Sequence, residues 1–304
     1  MTFTAFIFIA ASIVLHGSWH FLCKSSGKVS MAFFALFSSS LFVSMLPWAL
    51  CSGVLFDLPG NVLWYAFWGA FSGAMCNFGL MLAYRSSDIS LAYPMARALP
   101  VFLTMAGTSL FGWGKALSGP AIAGMIIIFS GCVCMALTNG KMSSRREKIA
   151  AIKKGFLGIL IASLGTTGYT IIDSFGIKAI MAAFPENNRI LLASSYSCFR
   201  ELVAATLMWL FFVIRFRQGK ENGCLKTLAK TFNPYLAGLF AGLAYGLILI
   251  AMNYVENVSF VQAFRQLSLP FTALLGAVFL KEKISRLRWI ALSVIILGLF
   301  LTIL

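Results

Sequence analysis

Long runs of the sequence are free of charge, and their lengths limit what the chain can become. Residues 30–56, 58–84, 116–140, 231–255 and 289–304 contain no Asp, Glu, Lys or Arg. A helix needs about 20 apolar residues to cross the hydrocarbon core of a bilayer, and the first four runs exceed that. In hydrocarbon every backbone N–H and C=O must find its partner within the protein, so a spanning chain forms helices or a closed barrel. Barrel strands alternate apolar and polar residues over segments of about ten, and no such alternation occurs. Charged residues make up 11% of the chain, against roughly 25% in a soluble domain. The chain is read as an all-α integral membrane protein, which excludes soluble enzymes, nucleic-acid binders and outer-membrane barrels.

Ten spans are expected, over residues 3–22, 30–50, 61–84, 91–110, 119–138, 155–182, 188–214, 233–254, 260–280 and 286–304. The N-terminal MTFTAFIFIAASIVL lacks the basic n-region of a signal peptide and is read as a retained first span. The polar connector NGKMSSRREKIAAIKK separates a first half (1–140) from a second half (155–304), with a basic linker at 141–154. The halves echo one another at an offset of 169. Gly69, Phe71, Gly73, Leu80 and Ser90 match Gly238, Phe240, Gly242, Leu249 and Ser259, and ASIVLHG at 11–17 resembles ASLGTTG at 162–168. Five spans per half is an odd number, so the second half enters the membrane upside down. The expected architecture is two inverted five-helix repeats around a central cavity, an arrangement of secondary transporters.

The net charge of +15 is a topology signal rather than a nucleic-acid footprint. Of the 24 Lys and Arg, 18 fall in the loops after spans 1, 3, 5, 7 and 9, and only Lys115 and Arg189 fall in the others. Cytoplasmic loops are the Lys/Arg-rich ones. The linker is therefore expected in the cytoplasm and both termini outside, in the inner (plasma) membrane. The seven cysteines show no CxxC pair and no regular spacing, so neither a disulfide framework nor a zinc site is expected.

Ionisable residues inside spans are expensive and face a cavity or a partner. Here they are Asp173 and Glu201 among acids, and Arg97, Lys178, Arg200 and Arg265 among bases. Gln262, Arg265 and Gln266 follow i, i+3, i+4 and share a helix face, as do Tyr93, Arg97, Pro100 and Thr104. Thr166, Tyr169, Thr170 and Asp173 form a third such face, and His16, Trp19 and His20 cluster on the first span. Asn77, Arg200, Tyr196 and Tyr245 add polar groups to spans 3, 7 and 8. Polar faces of spans 1, 3, 4, 6, 7, 8 and 9 around a cavity, with spans 5 and 10 outside, is the simplest arrangement. Arg97 and Arg265 each precede a proline, Pro100 and Pro270, which kinks a helix and frees carbonyls. Arginine's planar fork matches carboxylate and phosphate, and four bases against two acids leave a surplus of +2. Lys178 reduces it to +1 if it snorkels outward. An anionic substrate group is expected to meet that surplus. Asp173 and Glu201 are the candidate proton carriers. His16 and His20 at i, i+4 have no third ligand and no HExxH context, so no metal is expected.

Ten spans in two halves, with HGSWHFLCKSSGK, LMLAYRSSDISLAYPMARALP and FVQAFRQLSLPFTALLGAVFLKEKISRLRWIALSVIILG at the junctions, resemble the drug/metabolite transporter superfamily. The closer resemblance is to its EamA-type branch. His16, Trp19, Lys24 and Glu282 stand where that family's patterns have matching residues; Lys115 departs from it, lying where the second repeat carries an acid. The resemblance implies a transporter working by alternating access, with spans 5 and 10 peripheral.

The resulting expectation is a secondary transporter of a small polar metabolite, anionic or zwitterionic, with the bilayer and a proton or counter-substrate as its other partners. Export of amino acids or drug-like compounds is the alternative, and a membrane protein without transport is a third class. No cofactor is expected. The chain has no GxxxxGK[ST] phosphate loop for ATP. A membrane enzyme would need clustered acids or His/Asp at fixed spacing, which two acids on different spans do not supply. The charge count yields a direct test: a reporter fused after Leu304 is expected to report an outside C-terminus, and cytoplasmic activity of that fusion would overturn the assignment.

Overall fold

In the computed structural model the chain is all-α, and the structure describes residues 2–25, 30–86, 89–137, 145–221, 224–279 and 285–304. The helices are α1 (Phe3–Ser25), α2 (Met31–Leu50), α3 (Gly60–Ser86), α4 (Ile89–Leu110), α5 (Gly119–Leu137), α6 (Arg145–Ala183), α7 (Arg189–Arg217), α8 (Cys224–Leu228), α9 (Asn233–Met252), α10 (Val258–Phe264), α11 (Ser268–Phe279) and α12 (Arg286–Leu301). A 3-10 turn at Arg265–Leu267 joins α10 to α11. Among the described residues, seven helices are long and apolar enough to cross a membrane: α1, α2, α3, α5, α6, α7 and α9.

Caps start several of them where the sequence offers a short polar side chain. Ser30 Oγ accepts from the Phe33 N–H of α2, Asn188 Oδ1 from Ile190 and Leu191 of α7, Asn257 Oδ1 from Ser259 of α10, and Ser285 Oγ from Arg288 of α12. Three features differ from the expected spans. The helix of α6 begins at Arg145, inside the expected linker, because RREKIAAIKK is polar yet made of good helix formers. A short α8 precedes α9. The ninth span is broken, and its cause is Pro270. Without an N–H, Pro270 leaves the carbonyl of Gln266 undonated; the chain tightens, and the Ser268 N–H serves the Arg265 and Gln266 carbonyls instead.

The chain divides into two compact units, one of residues 76–167 and 255–304, the other of 2–75 and 168–254. In the second, α1 and α2 pack on α9, and α2 also packs on α7. Serine hydroxyls reach across to backbone carbonyls, Ser12 to Ala244 at 2.8 Å and Ser40 to Tyr235 at 2.7 Å. Trp209 Nε1 donates to Ser39 at 2.9 Å. Between helices in lipid, close packing and such bonds replace the hydrophobic drive.

In the first unit, α5 packs on α12 and α4, and α10 on α4. Glycines set the approach. A Cβ at Gly79 would overlap the backbone of Ala162 and Gly158, and one at Gly158 would overlap that of Ala83. Gly124 and Gly298 face each other's carbonyls in the same way across α5 and α12. The α4–α5 connection turns through Gly112 (φ 66°) and Gly114 (φ 98°). It is pinned to the start of α10: Lys115 N–H donates to the Glu256 carbonyl at 3.1 Å and Asn257 Nδ2 to the Lys115 carbonyl at 3.0 Å.

These crossings predict a graded response. Gly79→Val and Gly158→Val force backbone apart and are expected to lower stability by at least about 1–3 kcal/mol. Gly119→Ala, where a Cβ meets nothing within 4 Å, is expected to be neutral or slightly stabilising. Thermal unfolding in detergent reads the difference, and equal behaviour of all three variants would refute the packing account.

Candidate functional site

Each unit holds a buried cluster built around arginine. In the unit of residues 2–75 and 168–254 the centre is Asp173 on α6, fully buried. Its Oδ1 accepts from Tyr196 Oη at 2.7 Å; its Oδ2 accepts from Tyr245 Oη at 2.5 Å and from Arg200 Nε at 2.8 Å. Tyr196 and Arg200 lie one turn apart on α7, so one helix face presents both donors. Arg200 also bonds Glu201 through Nη1 and the Gly69 carbonyl through Nη2 at 3.4 Å. Its guanidinium carbon lies 4.7 Å from the Tyr245 ring centre and 5.4 Å from that of Tyr169, within cation–π range. Gly69 and Gly73 of α3 make the room: a Cβ at 69 would overlap Asp173, and one at 73 would stand 2.9 Å from Arg200 Nη2.

Buried ion pairs hold only when their remaining donors and acceptors are met, and this one is met from four helices. One guanidinium serves two carboxylates, so with both ionised the cluster carries a formal −1. One proton brings it to neutrality.

On α1 of the same unit the His16 and Trp19 rings meet edge-on at 5.6 Å, Trp19 and His20 lie 3.5 Å apart, and Trp19 reaches Phe37 at 5.3 Å. The arrangement is a cluster of rings, His16 edge-on to both Trp19 and His20. Among the described residues no group of three or more His, Cys, Asp or Glu is placed to hold a metal ion.

The other cluster lies within residues 76–167 and 255–304. Arg97 of α4 is buried, and its Nη2 donates to the Arg265 carbonyl at 2.9 Å and to Ser268 Oγ at 2.6 Å. Ser268 Oγ in turn donates to the Arg265 carbonyl at 2.8 Å. The turn made by Pro270 thus supplies the acceptor that Arg97 uses. Arg265, also buried, donates from Nη1 to Gln262 Oε1 at 3.4 Å, and Gln266 Nε2 donates to the Gln262 carbonyl at 3.0 Å. Farther along the same pair of helices, Thr108 and Ser259 share a hydrogen bond of 2.8 Å. Pro100 acts on α4 as Pro270 does on its own helix: the carbonyl it deprives is that of Ala96, which Ser163 Oγ of α6 faces at 3.5 Å.

Asp173, Glu201, Arg200, Tyr169 and Tyr245 therefore meet in one cluster, and Arg97, Gln262, Arg265 and Gln266 in the other. His16, Trp19 and His20 contact one another through their rings. Asn77 is half-buried on α3, and Lys178 is exposed on α6. The side chains of Tyr93 and Lys24, and Glu282 altogether, lie outside the described residues. Ser268, Gly69 and Gly73 were not expected at these sites. Their only sequence signals were a serine two residues before a proline and two glycines one turn apart.

Residues 153–304 match the sequence model of the EamA-like transporter family. A solved structure, titled only "Crystal structure of protein", superposes with a TM-score of 0.72 at 16% identity, over 99% of this chain and 96% of its own. At that identity the likeness speaks for the fold alone. No curated protein matches the sequence.

Proposed function

Because the chain belongs to the EamA-like transporter family, a transporter family rather than an enzyme family, we propose that this multi-pass membrane protein is a secondary transporter of a small polar metabolite carrying an anionic group. The observation that carries this reading is the arginine cluster of α4 and the α10–α11 break. Two guanidinium groups are buried there: that of Arg97 bonds the backbone carbonyl of Arg265 and the Ser268 hydroxyl, and that of Arg265 bonds Gln262. The planar forks match a carboxylate, phosphate or phosphonate. Arg97 and Arg265 hold it in turn as the site opens to each side of the inner membrane.

Two inverted repeats underlie that alternation. In support, each unit takes part of both halves, residues 76–167 with 255–304 and residues 2–75 with 168–254. The pairings also agree: α2 with α7, α4 with α10 and α5 with α12 each join equivalent helices. In this reading α5 and α12 are scaffold, the linker is cytoplasmic and both termini are outside. The Asp173–Arg200–Glu201 cluster, one positive group against two negative, carries the coupling proton.

Reconstituted vesicles test both parts. Arg265→Lys keeps the charge but loses the fork and is expected to slow anion flux at least about tenfold; Arg265→Ala is expected to abolish it, with Arg97 behaving alike. Alanine variants that insert correctly and transport at the wild-type rate would make the arginines structural. For coupling, Asp173→Asn and Glu201→Gln are expected to lose the response to an imposed pH gradient while keeping exchange of solute across the membrane. Intact gradient-driven uptake in both would assign the driving force to counter-substrate exchange.

A further inference from the structure

Gln266 is fully buried, and only half of its amide is used. Its Nε2 donates to the Gln262 carbonyl at 3.0 Å. That bond fixes the orientation, since a flipped amide would set two oxygens against each other. Its Oε1 has no hydrogen-bond partner among the described residues. A buried oxygen left so is disfavoured, and in a native protein it calls for an explanation.

Its neighbours supply one. Arg265 and Gln266 are three and four residues after Gln262, and both are tied to it, one to the side-chain oxygen and one to the backbone carbonyl. The Arg265 guanidinium and the Gln266 amide therefore both reach back to the turn that Gln262 occupies. Facing them, α4 runs antiparallel, with Arg97 at Arg265 and Ser268 and Thr108 at Ser259. Interpolation between those contacts puts Thr104 level with Gln262. Thr104 is also fully buried, and its hydroxyl has no hydrogen-bond partner among the described residues. Cationic donors thus stand beside a neutral acceptor and a hydroxyl. A plain anion engages the first and leaves the second idle.

We propose that Gln266, with Thr104 one turn away at the level of Gln262, is a specificity-determining residue that selects substrates carrying an O–H or N–H donor next to their anionic group. Hydroxy- and amino-substituted carboxylates or phosphonates are favoured over the unsubstituted acids. The proposal rests on the reading that Arg97 and Arg265 engage an anion, and it adds the second contact point that a cation alone does not give. A site built to bond a substrate donor rejects the analogue lacking it, because the site's own buried group is then left unpaired.

The experiment is a binding comparison on the purified full chain in detergent, read as ligand-induced thermal shift. The probes are two matched series: propionate, lactate and alanine; and methylphosphonate, hydroxymethylphosphonate and aminomethylphosphonate. The donor-bearing members of at least one series are expected to bind about tenfold tighter than the plain acid. Gln266→Met, of similar size without an acceptor, is expected to bring that ratio toward one, and Thr104→Val to reduce it. Plain acids that bind wild-type protein as tightly as their substituted partners would overturn the proposal and leave the anion reading standing. Discrimination that survives in both variants would also overturn it, because other residues would then be selecting. If no member of either series binds, the anion reading falls, and this inference with it. The wild-type comparison needs no substitution, so it decides even if a variant does not fold.

Discussion

Hydrocarbon does not tolerate a carbonyl without a donor, and Pro270 creates one at Gln266. The remainder of the arginine cluster follows from how that debt in hydrogen bonding is met. The chain tightens into a 3-10 turn, Ser268 turns its N–H and its hydroxyl toward the Arg265 carbonyl, and that carbonyl also accepts from Arg97. Were residues 258–279 one regular helix, the Arg265 carbonyl would be committed to its own ladder, and Arg97 would have to find another buried acceptor. Pro100 works on α4 by the same rule, with Ser163 opposite the carbonyl it deprives. Proline in these helices is a means of exposing backbone acceptors to another helix at a chosen level.

The second constraint is space. Helices in lipid gain little from burying apolar surface against each other, so contact depends on how closely backbones approach. At Gly79 with Gly158, and at Gly124 with Gly298, the glycine faces bare backbone. At Gly69 and Gly73 the room is spent differently, on a carboxylate and a guanidinium. The same residue type thus serves adhesion at one level of α3 and the housing of charge at another.

Four of the seven membrane-length helices, α2, α3, α5 and α9, were legible because they fill charge-free runs of more than 20 residues. The extension of α6 was not, since hydropathy ends at the linker while helix propensity continues through RREKIAAIKK. The kink at Pro270 was legible in kind but not in place, because a missing N–H acts on the carbonyl four residues upstream. The faces of α4 and α10 could be read from i, i+3, i+4 spacing. Partnership across helices could not: nothing local says that Asp173 meets Arg200, or that Tyr196 joins them. Least visible was the partner of Arg97. A backbone carbonyl belongs to every residue and so leaves no mark in the sequence.

The Arg265 peptide plane has an unusual position. Its carbonyl is held by Arg97, while the side chain of the same residue is held by Gln262. The Arg97 guanidinium is therefore tied to the backbone of the very residue whose own side chain reaches Gln262. Thr108 and Ser259 tie α4 to α10 farther along, so a slide of α4 along its axis strains both connections together. The link from Arg97 runs to an uncharged oxygen, so at this point that arginine is anchored by a backbone dipole rather than by a carboxylate.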